Sequence, residues 1–449
     1  MDTKCQLVEK HRDLIFQALD YIWKNPETGY REWKTHAYLE EEFAKLGYEL
    51  TLAGDIPGFT AELDTGKPGP TVAVFGELDA LLCATHPDAD PETGAVHACG
   101  HCAQTAALLG LAAALKEPGA LEGLSGKIRL VAVPAEELIE LGYRKQLREQ
   151  GVIRYFGGKP EFLYRGLLDG VELAFLIHTG SRASGCAGMR AGYNGCVAKN
   201  ISFRGLSAHA GGSPHRGINA LYAANVAMTA INALRETFPD SAHIRVHPII
   251  TAGGGAVNAI PDDVRMESYV RAADLVNVER ANRKVNRAIA ASAVAMGANV
   301  HIEDIPGYMP GINDLGMIEA MQQAMTDVGL NVTYMPTDWS TGSSDMGDMS
   351  AVMPTVHPNI GGAAGAGHSD SFRIVDPETA CVSSAKAQLQ MLRVLLCNDA
   401  ERAKQIVENY KPVFATKEDY FAAMDKLNLN CQAVQYEGES KAVLTFGNE

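Results

Sequence analysis

Positive charge is in short supply in this chain: 39 Lys and Arg stand against 54 Asp and Glu, a formal net charge of −15. Phosphate binding needs a basic surface, so no nucleic-acid partner is expected. No apolar run approaches the roughly 20 residues of a membrane span, so no membrane-spanning helix is expected. The opening MDTKCQLVEKHRDLIF is amphipathic and charged. It lacks the apolar stretch and cleavage site of a signal peptide. Cysteine is sparse and odd in number, nine scattered through 449 residues. That fits a reducing, cytoplasmic setting better than a disulfide framework. Internal repeats are absent, and the only biased tract is the glycine-rich GGAAGAGHSDSF at 361–372. What remains is an ordinary globular composition, 46% hydrophobic and 21% charged. The length suits two or three domains with a substantial core.

Residues 6–47 read as two amphipathic helices, the second ending at a capping glycine. Short apolar runs then alternate with helical segments, the pattern of an α/β protein. The fold expected is a catalytic domain with a mixed, mostly parallel sheet flanked by helices. Into it is inserted an α+β domain of β-α-β-β-α-β-like order. The boundaries expected are 1–191 and 306–449 for the two parts of the catalytic domain, and 192–305 for the insertion. The final 40 residues read as helical and then loosely ordered.

Three apolar runs share an ending. TVAVFG (71–76) leads into Glu77-Leu78-Asp79, KIRLVAVP (127–134) into Ala135-Glu136-Glu137, and ELAFLI (172–177) into His178. Ligands of open α/β sheets collect at the carboxyl ends of strands. Between the first two runs stands His97-Ala98-Cys99-Gly100-His101-Cys102, four soft or borderline metal donors in six residues, just before a helix at 103–116. Thiolate, imidazole and carboxylate are the usual donors for Zn²⁺ and related ions. Of two adjacent glutamates, one can hold metal while the other stays free as a general base. The combination suggests a metal-dependent hydrolase.

Each feature also has a bland reading. Cys99 and Cys102 alone form a CxxC pair that suits a redox site or half of a zinc knuckle. A knuckle needs a second CxxC or HxxxH at a suitable distance from the first pair, and none stands at such a distance. Paired glutamates are usually solvated, but charged residues rarely follow a buried strand without a task. His178 alone reads as a core histidine and His368 as a surface one. Glu77 and Asp79 are either ligands or groups that orient a ligand. His209 suits a cap or a surface position, and Arg271 either a surface salt bridge or a bidentate clamp on a substrate carboxylate.

Taken together, the chain resembles the aminoacylase/carboxypeptidase family of dinuclear metallo-amidohydrolases. More narrowly it resembles the branch of hippurate, auxin-conjugate and p-aminobenzoyl-glutamate hydrolases. The resemblance rests on Pro26-Glu27-Thr28-Gly29 with Glu32, Gly76–Leu81, His97–His101, Pro134–Glu137, Ser207–Ala210, Gly254–Pro261, Arg271, Gly342–Asp348 and Gly367–Ser369. It implies that Cys99, His101, Glu137, His178 and His368 hold two divalent ions, Zn or Mn. Glu136 would be the general base, supported by Asp79. His209 would reach a neighbouring subunit's site and stabilise the oxyanion, and Asn258 and Arg271 would contact substrate. The inserted domain would be the lid and the surface of a homodimer. The implied substrate is an N-acyl amino acid, an aminobenzoyl-glutamate-like conjugate or a dipeptide. The alternative is a protein of this fold that binds metal and ligand without cleavage.

Two positions depart from the branch. Cys102 stands where Asp or Asn is usual, so a thiol there would alter hydrogen bonding or make the site oxidation-sensitive. A polar insertion occupies 138–171, between Glu137 and His178, and bears on substrate identity.

Overall fold

A computed structural model describes residues 4–438 and 440–446. The chain divides into two compact units. The first comprises Met1–Gly192, Ile312–Asp338 and Ser344–Val413. Its six-stranded sheet runs in the order Leu50–Leu52, Phe59–Asp64, Lys127–Val133, Thr71–Glu77, Leu173–Phe175, Thr355–Val356. The first two pairings are antiparallel and the last three parallel. The sheet is therefore mixed and mostly parallel, as expected. Every residue of Thr71–Glu77 is buried, as a central strand covered on both faces requires.

Helices cover this sheet for readable reasons. Arg12–Lys24 buries Ile15, Ala18, Leu19 and Ile22, one stripe at helical spacing. His101–Leu115 is buried along its whole length, which its run of alanines permits by allowing close approach on all sides. It starts at His101, two residues earlier than the sequence suggests. Gly100 precedes it at φ 98°. A Cβ at that position would lie 2.9 Å from the Thr179 carbonyl oxygen, so the turn into the helix demands glycine.

The second unit comprises Tyr193–Gly311, Trp339–Ser343 and Phe414–Glu449. Its elements follow as strand Gly195–Arg204, helix Ala220–Leu234, strands Arg245–Ala252 and Asp263–Ala272, helix Leu275–Ala295 and strand Asn299–Tyr308. That is the anticipated β-α-β-β-α-β order. The sheet is antiparallel throughout, in the order Arg245–Ala252, Asp263–Ala272, Gly195–Arg204, Asn299–Tyr308, Leu429–Gln432. Asp263–Ala272 buries alternate residues, as a sheet with one covered face does. The last strand differs from expectation. The sequence places 306–449 whole with the catalytic part and leaves its end loose. Instead Thr416 caps a helix at Lys417–Lys426, Leu429–Gln432 pairs with Asn299–Tyr308, and Ala433 and Val434 enter the second unit's core. The tail is ordered because that strand edge is otherwise unpaired.

Candidate metal centre

The site of the first unit forms at the carboxyl ends of its parallel strands. Thr71–Glu77 delivers Glu77 and Asp79, Lys127–Val133 delivers Glu136 and Glu137, and His178 opens a two-residue strand beside Asn359–Ile360. Cys99 and His101 flank the start of the buried helix. His368 comes from the glycine-rich loop, at φ 61°, with its N–H bonded to the Ala98 carbonyl at 2.9 Å. A non-glycine residue in the left-handed region marks a position the surroundings have over-determined.

Three sets of donor atoms converge, each within 4.8 Å: Cys99, His101 and His178; Cys99, Glu137 and His368; and Glu77, His101 and Glu136. Cys99 Sγ lies 3.5 Å from His178 Nε2, and His368 Nε2 lies 3.0 Å from a Glu137 oxygen. Asp79 organises the centre without joining a donor set. His101 Nδ1 is 2.9 Å from the Asp79 carbonyl oxygen, which can only accept. Nδ1 therefore carries a proton, and Nε2 is turned to the other donors. The Asp79 carboxylate accepts from the Glu137 N–H at 2.7 Å, tying the histidine to the glutamate pair.

Electrostatics separate the two glutamates. Burial, then the charges of Glu77 and Glu137, push Glu136 well above the usual carboxylate range. Burial also pushes Glu137 up, but the hydrogen bond and charge of His368, with His101, outweigh it and hold Glu137 at about 2. Divergent neighbours of this kind suit different tasks. Burial lowers His178 to about 4, keeping it the neutral imidazole a ligand must be. His101 behaves oppositely: burial opposes its charge, but Cys99, Glu77 and Asp79 raise it. Surroundings negative enough to keep a proton there would equally hold a metal cation. His101 Nε2 and Glu77 Oε2 are buried without a hydrogen-bond partner among the described residues. The donor set and these orphaned atoms fit divalent ions bound by N, O and S.

The turn carrying the glutamates is itself clamped. Ala135 sits at φ 59°. Its N–H donates to Glu32 Oε1 at 2.8 Å, and its carbonyl accepts from Arg144 Nη1 at 3.2 Å. Arg144 also donates to the Glu137 carbonyl. A second buried cation, Lys159, donates to Glu77 Oε1 at 2.5 Å and to Asp345. The sequence reading singles out none of Glu32, Arg144, Lys159 or Asp345 as a site residue. Arg144 and Lys159 both come from the insertion 138–171, which is therefore built into the site.

Other candidates sit elsewhere. His97 is buried, lowered to about 3 by burial, and joins no donor set among the described residues. Cys102 packs in the apolar core, where burial pushes its thiol up to about 12. Cys102 joins no donor set among the described residues. His209, Asn258 and Arg271 belong to the second unit. The exposed His209 accepts at Nδ1 from the N–H groups of Gly211 and Gly212, at 3.1 and 2.8 Å. The Asn258 carbonyl accepts from the Ala210 N–H at 2.9 Å, so these two loops are stitched together. Arg271 lies on Asp263–Ala272 with its guanidinium 5.2 Å from the Tyr269 ring centroid.

Known proteins are similar along most of the chain. It is 28% identical over 390 residues to Xaa-Arg dipeptidase of Mus musculus, covering 83% of this chain and 81% of that one. It is 29% identical over 337 residues to indole-3-acetyl-aspartic acid hydrolase of Enterobacter agglomerans, covering 62% and 70%. A dinuclear metal binding peptidase of the M20 family from Bacillus subtilis shares the fold, with a TM-score of 0.63 at 21% identity over 86% of this chain and 99% of that one. The profile of peptidase family M20/M25/M40 matches residues 73–393, a span that begins before Glu77 and ends beyond His368. With both glutamates and every donor of the centre inside that span, the chain belongs to this family and is a hydrolase of amide or peptide C–N bonds.

Proposed function

We propose that the protein hydrolyses the amide bond of a small N-acyl amino acid, an aminobenzoyl-glutamate-like conjugate or a dipeptide, using two divalent ions. The observation that carries this reading is the convergence of Cys99, His101, Glu137, His178 and His368 in overlapping donor sets, with a Glu136 oxygen 3.8 Å from His101 Nε2. These five residues would hold the ions. Cys99 favours a borderline-soft ion such as Zn²⁺, while the His and Glu donors also accept Mn²⁺. When bound, the ions would supply a water acidified towards neutrality and stabilise the developing oxyanion. Glu136 takes the proton from the attacking water and returns it to the leaving nitrogen. Asp79 fixes the tautomer of His101 and the main chain of Glu137. His209 is proposed to stabilise the oxyanion in a neighbouring subunit's site, and Asn258 and Arg271 to contact substrate.

A homodimer formed through the second unit is part of the proposal. Its support is the edge strand Arg245–Ala252, which exposes Ile249 and Ile250, and the helix Ala220–Leu234, which exposes Tyr222 and Val226. An open apolar strand edge favours pairing with a second copy. A cytoplasmic setting is supported by the absence of disulfides among the described residues. No described helix is long and apolar enough to cross a membrane.

The test pairs metal analysis with amine release from N-acetyl and N-benzoyl amino acids, p-aminobenzoyl-glutamate and dipeptides. About two ions per chain and chelator-sensitive cleavage are expected. Absence of metal after reconstitution overturns the reading, and bound metal without cleavage of any substrate favours a binding protein.

A further inference from the structure

Lys159 is fully buried, on a short helix Gly158–Tyr164 whose start is pressed against the catalytic turn. A Cβ on Gly158 would lie 1.7 Å from the Pro134 carbonyl oxygen, so only glycine lets the segment come this close. The ammonium donates to Glu77 Oε1 at 2.5 Å and to Asp345 Oδ1, and the Lys159 N–H donates to Asp345 Oδ2 at 3.0 Å. One oxygen of Glu77 is thereby fixed. The other, Oε2, is buried without a hydrogen bond and lies 3.3 Å from His101 Nε2. His101 Nε2 is likewise buried without a hydrogen bond among the described residues, while Nδ1 faces the Asp79 carbonyl. A Glu136 oxygen lies 3.8 Å from the same nitrogen.

Glu77, His101 and Glu136 each bring one donor atom within 4.8 Å of the others, an arrangement that suits a cation held between them. An ion about 2.0–2.2 Å from a carboxylate oxygen and an imidazole nitrogen leaves those ligands about 3–3.5 Å apart. We infer that Glu77 Oε2 is a further metal ligand, beside His101, and that Lys159 is the positioning residue that holds it there. Lys159 limits Glu77 to one donor oxygen and neutralises its charge against Asp345. The insertion 138–171 thus tunes the metal centre itself. The inference rests on the proposed metal-dependent hydrolase and adds a ligand to it.

The experiment is a Co²⁺ titration of the full-length metal-free protein, read by affinity and by the visible absorption of bound Co²⁺. Glu77→Gln keeps the shape of the side chain and keeps the variant set informative should Lys159→Met fail to fold. Glu77→Gln is expected to weaken one of the two sites by at least about tenfold and to alter the cobalt spectrum. Lys159→Met is expected to weaken it about 10–100-fold, and Lys159→Arg to restore part of the loss. Unchanged affinity and spectrum in Glu77→Gln, or a Lys159→Met that loses only thermal stability, overturns the inference while leaving the hydrolase reading intact. A wild-type protein that takes up neither Co²⁺ nor Zn²⁺ overturns the reading and the inference with it.

Discussion

Two fully buried lysines, one in each unit, meet opposite electrostatic fates. Lys199 faces one carboxylate, Asp304, and the Asn286 side-chain oxygen. The other oxygen of Asp304 accepts from Asn282 and Asn286, at 2.7 Å each. Burial pulls Lys199 below its ordinary value, with Asp304 only partly opposing. Lys159 has two carboxylates, and there Asp345 and Glu77 outweigh burial and raise it. The network in the second unit is close to charge-balanced and serves to hold its sheet to the helix Leu275–Ala295. The pocket in the first unit has more carboxylates than its own cations neutralise. Folded protein tolerates such an excess when a cation from solution completes it.

The sharpest way to break this comparison is to remove the base from the charge-rich pocket. Glu136→Gln is expected to lower turnover about 10²–10⁴-fold while the protein still binds its metal. Near-wild-type turnover in steady-state kinetics, with metal content measured on the same sample, would remove Glu136 from the mechanism. Next comes the balanced network. Lys199→Met leaves Asp304 buried against two amides alone, and denaturant unfolding should show a loss of about 3–5 kcal/mol. Metal per folded chain should not change; if it falls, Lys199 is more than structural. The smallest effect separates two thiols three residues apart. Cys102→Ala should cost ~1 kcal/mol as a small core cavity and keep all bound metal, whereas Cys99→Ser should lose metal measurable by elemental analysis. Equal metal loss in both variants would place Cys102 at the centre.

Much of the site can be read in the chain because its donors sit where apolar strands end. TVAVFG, KIRLVAVP and ELAFLI each announce a buried strand, and a polar residue at such an end faces the sheet's carboxyl edge. Arg144 and Lys159 escape this logic. They lie in a polar segment whose composition matches a solvated loop, and only burial against specific carbonyls and carboxylates gives them roles. One signal is available: Gly157-Gly158 within that polar run, since adjacent glycines in a non-repetitive loop often mark close backbone approach. The C-terminal strand escapes for a different reason. LNCQ alternates over only four residues, too short a run to announce a strand by itself, and it pairs along the edge of Asn299–Tyr308. Cys102 shows that adjacency in sequence to His101 does not place a side chain in the donor sets. On a helix buried all round, the next residue points about 100° away, here into the core.

The order of synthesis gives the closing strand a further consequence. The sheet of the second unit is begun by Gly195–Arg204 and completed only by Leu429–Gln432, far downstream in the chain. The first unit waits almost as long, for Thr355–Val356 and then His368. Neither unit can finish folding while these segments are still inside the ribosome, and such late, long-range closure leaves strand edges exposed as the chain grows. A chain that ends before His368 lacks one of the clustered donors, and one that ends before Leu429 leaves the edge of Asn299–Tyr308 unpaired.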